Sequence, residues 1–245
     1  MVDSARGSAS LSGGFLPSAA PRPIDAPTAA ATFVGAWLAA QIVASLIVVA
    51  VADDGTDPSF GATALALAGA WTTYLVAMWL ASQRAGSASM VADYGLRFRP
   101  IDVVGLGIGA LCSLVLIRVV YLPLEALWPA TFSESKLTEN ARDLVDSAGG
   151  STWVVVVVVV VGAPLMEELF YRGLLQRSLA SRYNEGLVVV GVAALFALVH
   201  FRPIEIPGLF VIGLVFGFAA LRTGRLGMAI MIHAGFNATG ILHAL

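Results

Sequence analysis

Residues 152–179 read TWVVVVVVVVGAPLMEELFYRGLLQRSL, and this stretch decides the fold. The eight consecutive valines from Val154 to Val161 would favour a strand in water. In a bilayer an unpaired strand edge leaves its backbone unsatisfied, so a run this long and apolar must be helical. That helix then carries Glu167, Glu168 and Arg172 inside a segment otherwise apolar enough to lie in lipid. On insertion scales one Asp, Lys or Arg at the centre of a spanning helix costs about 2.5 to 3.5 kcal/mol, so such residues face a protein interior or a wet cavity and mark function.

Helix geometry separates the three. Glu168 and Arg172 are four apart and lie on one face, with the Glu N-terminal to its cation, which is the better pairing order. Glu167 is turned about 100° from Glu168, and its own i+4 position is Tyr171, which offers no cation. One carboxylate is therefore paired and one is free. A free carboxylate in low-dielectric surroundings beside an ionised neighbour suits a general base. A purely structural polar network between helices would use the same three residues.

Composition sets the frame. The chain has 245 residues, 58% hydrophobic and 12% charged, about half the usual charged fraction of a globular protein. That is a membrane composition, and the fold class it predicts is all-α, a multi-pass transmembrane bundle of about seven to eight helices. The net charge of −2, with no run of Arg, argues against a nucleic-acid partner. The lone Cys112 excludes an intrachain disulfide and a thiolate metal site, and reads as a small core residue. Abundant Ala, Val and Gly, with Arg favoured over Lys, point to a GC-rich bacterial genome.

Residues 1–27 are rich in Ser, Gly, Ala and Pro without apolar periodicity, and read as a disordered cytoplasmic tail ahead of a transmembrane domain at 28–245. Seven candidate spans follow, at 29–52, 60–81, 101–124, 152–179, 186–200, 204–221 and 226–243. The fifth and sixth are short, so one is expected to be tilted, partly re-entrant or continued through Arg202 and Pro203. With the N-terminus inside, the cytoplasmic segments carry Arg6, Arg22, Arg84, Arg97, Arg99, Arg177, Arg182, Arg222 and Arg225, and the outer loops only Lys136, Arg142 and Arg202. The expected location is thus the cell membrane, a bacterial inner membrane. Arg118, near the outer end of the third span, is expected to snorkel to the interface.

The loop 129–151 is the longest charged stretch. Leu137, Ala141, Leu144 and Val145 form a helical stripe, Thr131 and Glu134 are spaced as a capping box, and Gly149 with Gly150 form a stop. A short amphipathic helix on the outer interface is expected there, either passive or acting as a lid.

Two further pairs sit at helical spacing in later spans. Phe196 and His200, in FALVH, share a face, and so do His233 and Asn237, in HAGFN. An intramembrane His or Asn alone often serves only as an interhelical hydrogen bonder. Paired on one face, the imidazole and carboxamide suit a developing oxyanion. At 1.5 Å per residue, Glu167 lies roughly 15 Å from Arg177, His233 roughly 12 Å from Arg225 and His200 roughly 22 Å from Glu185. All three fall toward the middle of a ~30 Å core, so they are able to converge.

The ordered set EExxxR (Glu167, Glu168, Arg172), FxxxH (Phe196, His200) and HxxxN (His233, Asn237) resembles the three motifs of the CAAX protease and bacteriocin-processing family, also called the ABI family. The resemblance covers about 103–245, with the motif-bearing core at 152–245. It implies an intramembrane glutamic endopeptidase similar to the type II prenyl-protein endopeptidases, acting on a membrane-embedded or lipidated protein or peptide. By resemblance, Glu167 would activate the attacking water with help from His200, and His233 with Asn237 would form the oxyanion hole. Glu168 and Arg172 would hold the base, and Phe196 would pack beneath His200. No cofactor is implied. Two other readings use the same residues: a zinc protease with Glu167, His200 and His233 as ligands, and a non-catalytic membrane immunity or scaffold protein.

Overall fold

The computed structural model of the chain describes residues 24–51, 58–149 and 152–245, and all regular structure among them is helical. The expected N-terminal tail, with Arg6 and Arg22, lies almost wholly outside the described residues, as do Asp53, Asp54 and Asp57 of the first outer loop. Long helices occur at all seven expected places: α1 (Ala26–Val51), α2 (Phe60–Ala85), α4 (Pro100–Leu127), α6 (Thr152–Ala180), α7 (Glu185–Leu198), α8 (Ile206–Thr223) and α9 (Gly227–Ala244). Two shorter helices join them, α3 (Met90–Asp93) and α5 (Glu134–Ser147).

Five of these, α1, α2, α4, α6 and α8, are long and apolar enough to cross a membrane. The chain is a multi-pass helical membrane protein. α7 falls short on length, because its 14 residues rise only about 21 Å. α9 has the length, with 18 residues, but His233, Asn237 and His243 lower its hydropathy. The site residues themselves therefore weaken the span signal.

Small residues bring the helices together. α1 buries Ala29, Phe33, Ala36 and Ala40, and α2 buries Ala62, Ala66 and Ala70, stripes that let two backbones approach closely. The α4–α9 contact is closer still. A side chain at Gly105 would strike Met231 and the Ile232 amide, one at Gly109 the Ile232 carbonyl, and one at Gly235 the Leu106 backbone. The α4 sequence GLGIG thus serves as a GxxxG seat for the helix that bears His233 and Asn237.

α6 runs through the centre and touches α1, α2, α7, α8 and α9. It contains π-helical stretches at Val156–Gly162 and Glu168–Gln176. Pro164 accounts for the first, since it has no amide to donate and its ring crowds the preceding turn. The second coincides with the EExxxR motif, where such widened turns commonly accompany function.

At one end of the bundle, Arg225 in the α8–α9 turn pairs with Asp102 of α4, Nη2 to Oδ1 at 2.5 Å and Nε to Oδ2 at 3.2 Å. Beside it Asp93, 2% exposed, accepts from the Ser82 hydroxyl at 2.6 Å, the Ser87 hydroxyl at 2.7 Å and the Ser87 amide at 2.9 Å. Burial works to raise the Asp93 pKa, but these donors and the Arg177 charge together hold it below the ordinary carboxylate value.

The expected amphipathic helix is α5. Its N-cap is Ser133, two residues later than the Thr131–Glu134 box predicts, and Glu134 is its first residue. Gly149 ends the segment in the left-handed region, φ 53°. Leu144 and Val145 do more than lie on an interface: they pack on Ala148, Val155 and Ile241, so α5 covers adjoining parts of α6 and α9. Arg118 is exposed and borders a cleft with Tyr121, Glu125 and His243.

Candidate active site

The centre of the site is an ion pair with no exposure. Arg172 Nη1 donates to Glu168 Oε1 at 2.9 Å, and both side chains are 0% exposed. The i, i+4 pairing expected from the sequence is therefore present. Isolated charges at such depth are costly, and a pair this buried persists only where further hydrogen bonds and rings enclose it. Arg172 Nη2 donates to the Gly213 carbonyl at 3.0 Å, and one turn on Gln176 donates to the Gly217 carbonyl at 2.9 Å. Gly213 and Gly217, four apart on α8, leave their carbonyls open to α6. The guanidinium also lies 4.6 Å from the Phe196 ring centroid and 5.3 Å from that of Phe216, which places the cation on aromatic faces.

His233 joins this centre from α9. Its Nδ1 donates to Glu168 Oε1 at 2.9 Å, so Nδ1 carries a proton, and its Nε2 stands 3.8 Å from Glu167 Oε2. Phe216 stacks on the imidazole at 4.3 Å and 18° and fixes its plane. One imidazole thus touches both carboxylates. Glu168 is wholly enclosed, and its second oxygen has no hydrogen-bond partner among the described residues.

Glu167 differs, as the helix-face argument expects. Its side chain is 26% exposed, and it borders a cavity of about 360 Å³ together with His200, Tyr74, Tyr171, Trp37 and Gln41. His200 does not sit within a helix as its spacing predicts. α7 ends at Leu198, and the left-handed φ of 53° at Phe201 turns the chain sharply after His200. The i, i+4 relation survives: His200 Nδ1 donates to the Phe196 carbonyl at 2.6 Å, which leaves Nε2 to accept a proton. The two rings meet edge to face at 4.8 Å.

Asn237 is placed differently from the expected oxyanion pair. Its amide donates to the Val159 carbonyl at 2.8 Å, in the π-helical stretch that precedes Pro164. Neither Asn237 nor His233 borders the cavity that Glu167 and His200 share. The sequence reading also passed over Phe216, Gly213 and Gly217. A helix-face count along α8 finds them, since 213 and 217 are four apart and 216 lies beside both.

Three motifs on three helices are thus joined around one Arg–Glu–His centre, with a carboxylate and an imidazole on one cavity wall. Residues 149–239 match the family model described as type II CAAX prenyl endopeptidase, Rce1-like. The motif-bearing segment is similar to the Rce1-like CAAX endopeptidase family. The matched residues contain every motif position, and the resemblance read from the sequence is borne out. No curated protein and no solved structure matches the chain. This similarity supports, in general terms, an intramembrane CAAX-type endopeptidase, a hydrolase, and the five long apolar helices agree with a membrane location. Among the described residues, no group of three His, Cys, Asp or Glu side chains is arranged to hold a metal ion.

Proposed function

We propose that the protein hydrolyses a peptide bond of a membrane-associated, lipid-bearing peptide with Glu167 as the general base. The observation that carries this reading is the contrast between the adjacent carboxylates: Glu168 is sealed against Arg172 and His233, and Glu167 opens on a cavity beside His200. In this reading Glu167 takes a proton from water and His200 Nε2 orients that water. Glu168 and Arg172 fix the helix and the imidazole. His233, bonded to Glu168 through Nδ1, sets its Nε2 3.8 Å from Glu167 Oε2 and supports the base.

A lipid-bearing substrate is favoured by a second, wholly apolar groove of about 470 Å³ between α1, α6 and α7. It shares Trp37 and Val199 with the Glu167 cavity, so an apolar chain seated there would hold an attached peptide next to the carboxylate. The positive-inside count favours a cytoplasmic N-terminus in the cell membrane of a bacterium.

The test is cleavage of a quenched fluorescent farnesyl-CAAX peptide by the full chain in liposomes, with and without a chelator. Native activity that survives the chelator and vanishes in Glu167→Gln supports the reading. Chelator-sensitive activity favours zinc on Glu167, His200 and His233. Equal activity in Glu167→Gln removes the proposed base.

A further inference from the structure

Part of the wall of the Glu167 cavity comes from α1 and α2, outside the family-matched segment, and it carries a hydroxyl with no role in the scheme above. We infer that the Tyr74 hydroxyl donates a hydrogen bond to the scissile carbonyl oxygen as it becomes an oxyanion, an inference that rests on the proposed hydrolytic reading of Glu167.

Placement is the first support. Trp71 lies against Gly162, where a side chain would strike its indole, and one turn on Tyr74 stacks on Phe170 at 4.1 Å and 13°. Phe170 is itself stacked on Phe33 at 4.4 Å. Glu167 falls between Gly162 and Phe170 along α6, so α2 meets α6 before and after the base, and the Tyr74 ring lies flat on Phe170. Tyr74 and Glu167 border the same cavity.

The second support is the supply of donors. His233 has committed Nδ1 to Glu168, Asn237 has committed one amide hydrogen to Val159, and neither borders this cavity. The wall also carries the exposed Thr63 hydroxyl and the Trp37 and Trp71 indoles, the latter lying against Gly162, and Tyr171 is only 4% exposed, packed against Phe33, Phe170 and Phe196. Gln41 is exposed. Tyr74 joins an O–H donor to a fixed ring on the wall where the carbonyl must enter.

The step balances as follows. The water oxygen bonds to the carbonyl carbon while its proton passes to Glu167, and the carbonyl π pair moves onto the oxygen, which accepts the Tyr74 O–H. When that pair returns, the C–N bond breaks and Glu167 passes the proton to the leaving nitrogen. The products are a carboxylic acid and an amine, and Tyr74 is unchanged.

Tyr74→Phe keeps the ring on Phe170 and removes only the donor. With the farnesyl-CAAX peptide in liposomes, kcat is expected to fall about 100-fold, the size seen when one oxyanion donor is lost, with KM within twofold of native. Replacing Tyr74 by 3-fluorotyrosine, a slightly stronger donor of nearly the same shape, should keep kcat at or above the native value. Native kcat in Tyr74→Phe overturns the proposal and leaves the role of Glu167 standing, as does a loss in Tyr74→Phe that 3-fluorotyrosine shares. Full activity in Glu167→Gln, or no cleavage by the native chain, overturns the hydrolytic reading and this proposal with it.

Discussion

Glu168 and His233 stand 65 residues apart in the chain and meet through a 2.9 Å hydrogen bond on the same oxygen that receives Arg172. This bond ties α9 to the centre of α6. Removing one member of a buried pair strands the other, at about 3–5 kcal/mol. Arg172→Met should therefore lower the thermal midpoint in detergent sharply. The double variant Arg172→Met, Glu168→Leu should recover part of that loss, because no charge is left unpaired.

The two histidines should separate in the same assays. His200 sits in a turn at a cavity wall, whereas His233 is 4% exposed and bonded to Glu168. His200→Ala is expected to reduce kcat by about 10²- to 10⁴-fold with little change in thermal midpoint. His233→Ala should reduce both.

The α4–α9 seat predicts a graded glycine series. Gly109→Val and Gly235→Val would drive side chains into the facing backbone and should displace α9, with loss of folding yield and of cleavage. Gly107→Ala meets nothing within 4 Å and should behave as native.

Asp93 predicts a pH effect away from the site. Its folded pKa is depressed, so its contribution is present above the unfolded value of about 3.9 and is lost as pH falls through the folded value. Asp93→Asn should be less stable than native at neutral pH, and the gap should close below about pH 4. Thermal midpoints across pH measure it.

The helices were legible because each span announces itself by length and apolarity, and the EExxxR face assignment was legible because i, i+4 geometry is local. What the sequence hid was pairing between helices. Nothing in FALVH states that α7 stops at Leu198 and leaves His200 in a turn. Nothing in HAGFN states that Asn237 turns to Val159 while His233 turns to Glu168. Those choices depend on which helix packs where, and the close glycine contacts of α4 with α9 and the carbonyls of Gly213 and Gly217 set them. Tyr74 was invisible for the same reason: its relation to Glu167 runs through the stacking of α2 on α6.

The most direct test of the central claim compares protein and peptide termini, by mass spectrometry, in membranes and medium of bacterial cells expressing the native chain or Glu167→Gln at matched levels. The account predicts new termini, from membrane-associated chains, that appear only with the native protein. Identical termini in the two samples would contradict it and favour a binding role for the same buried centre.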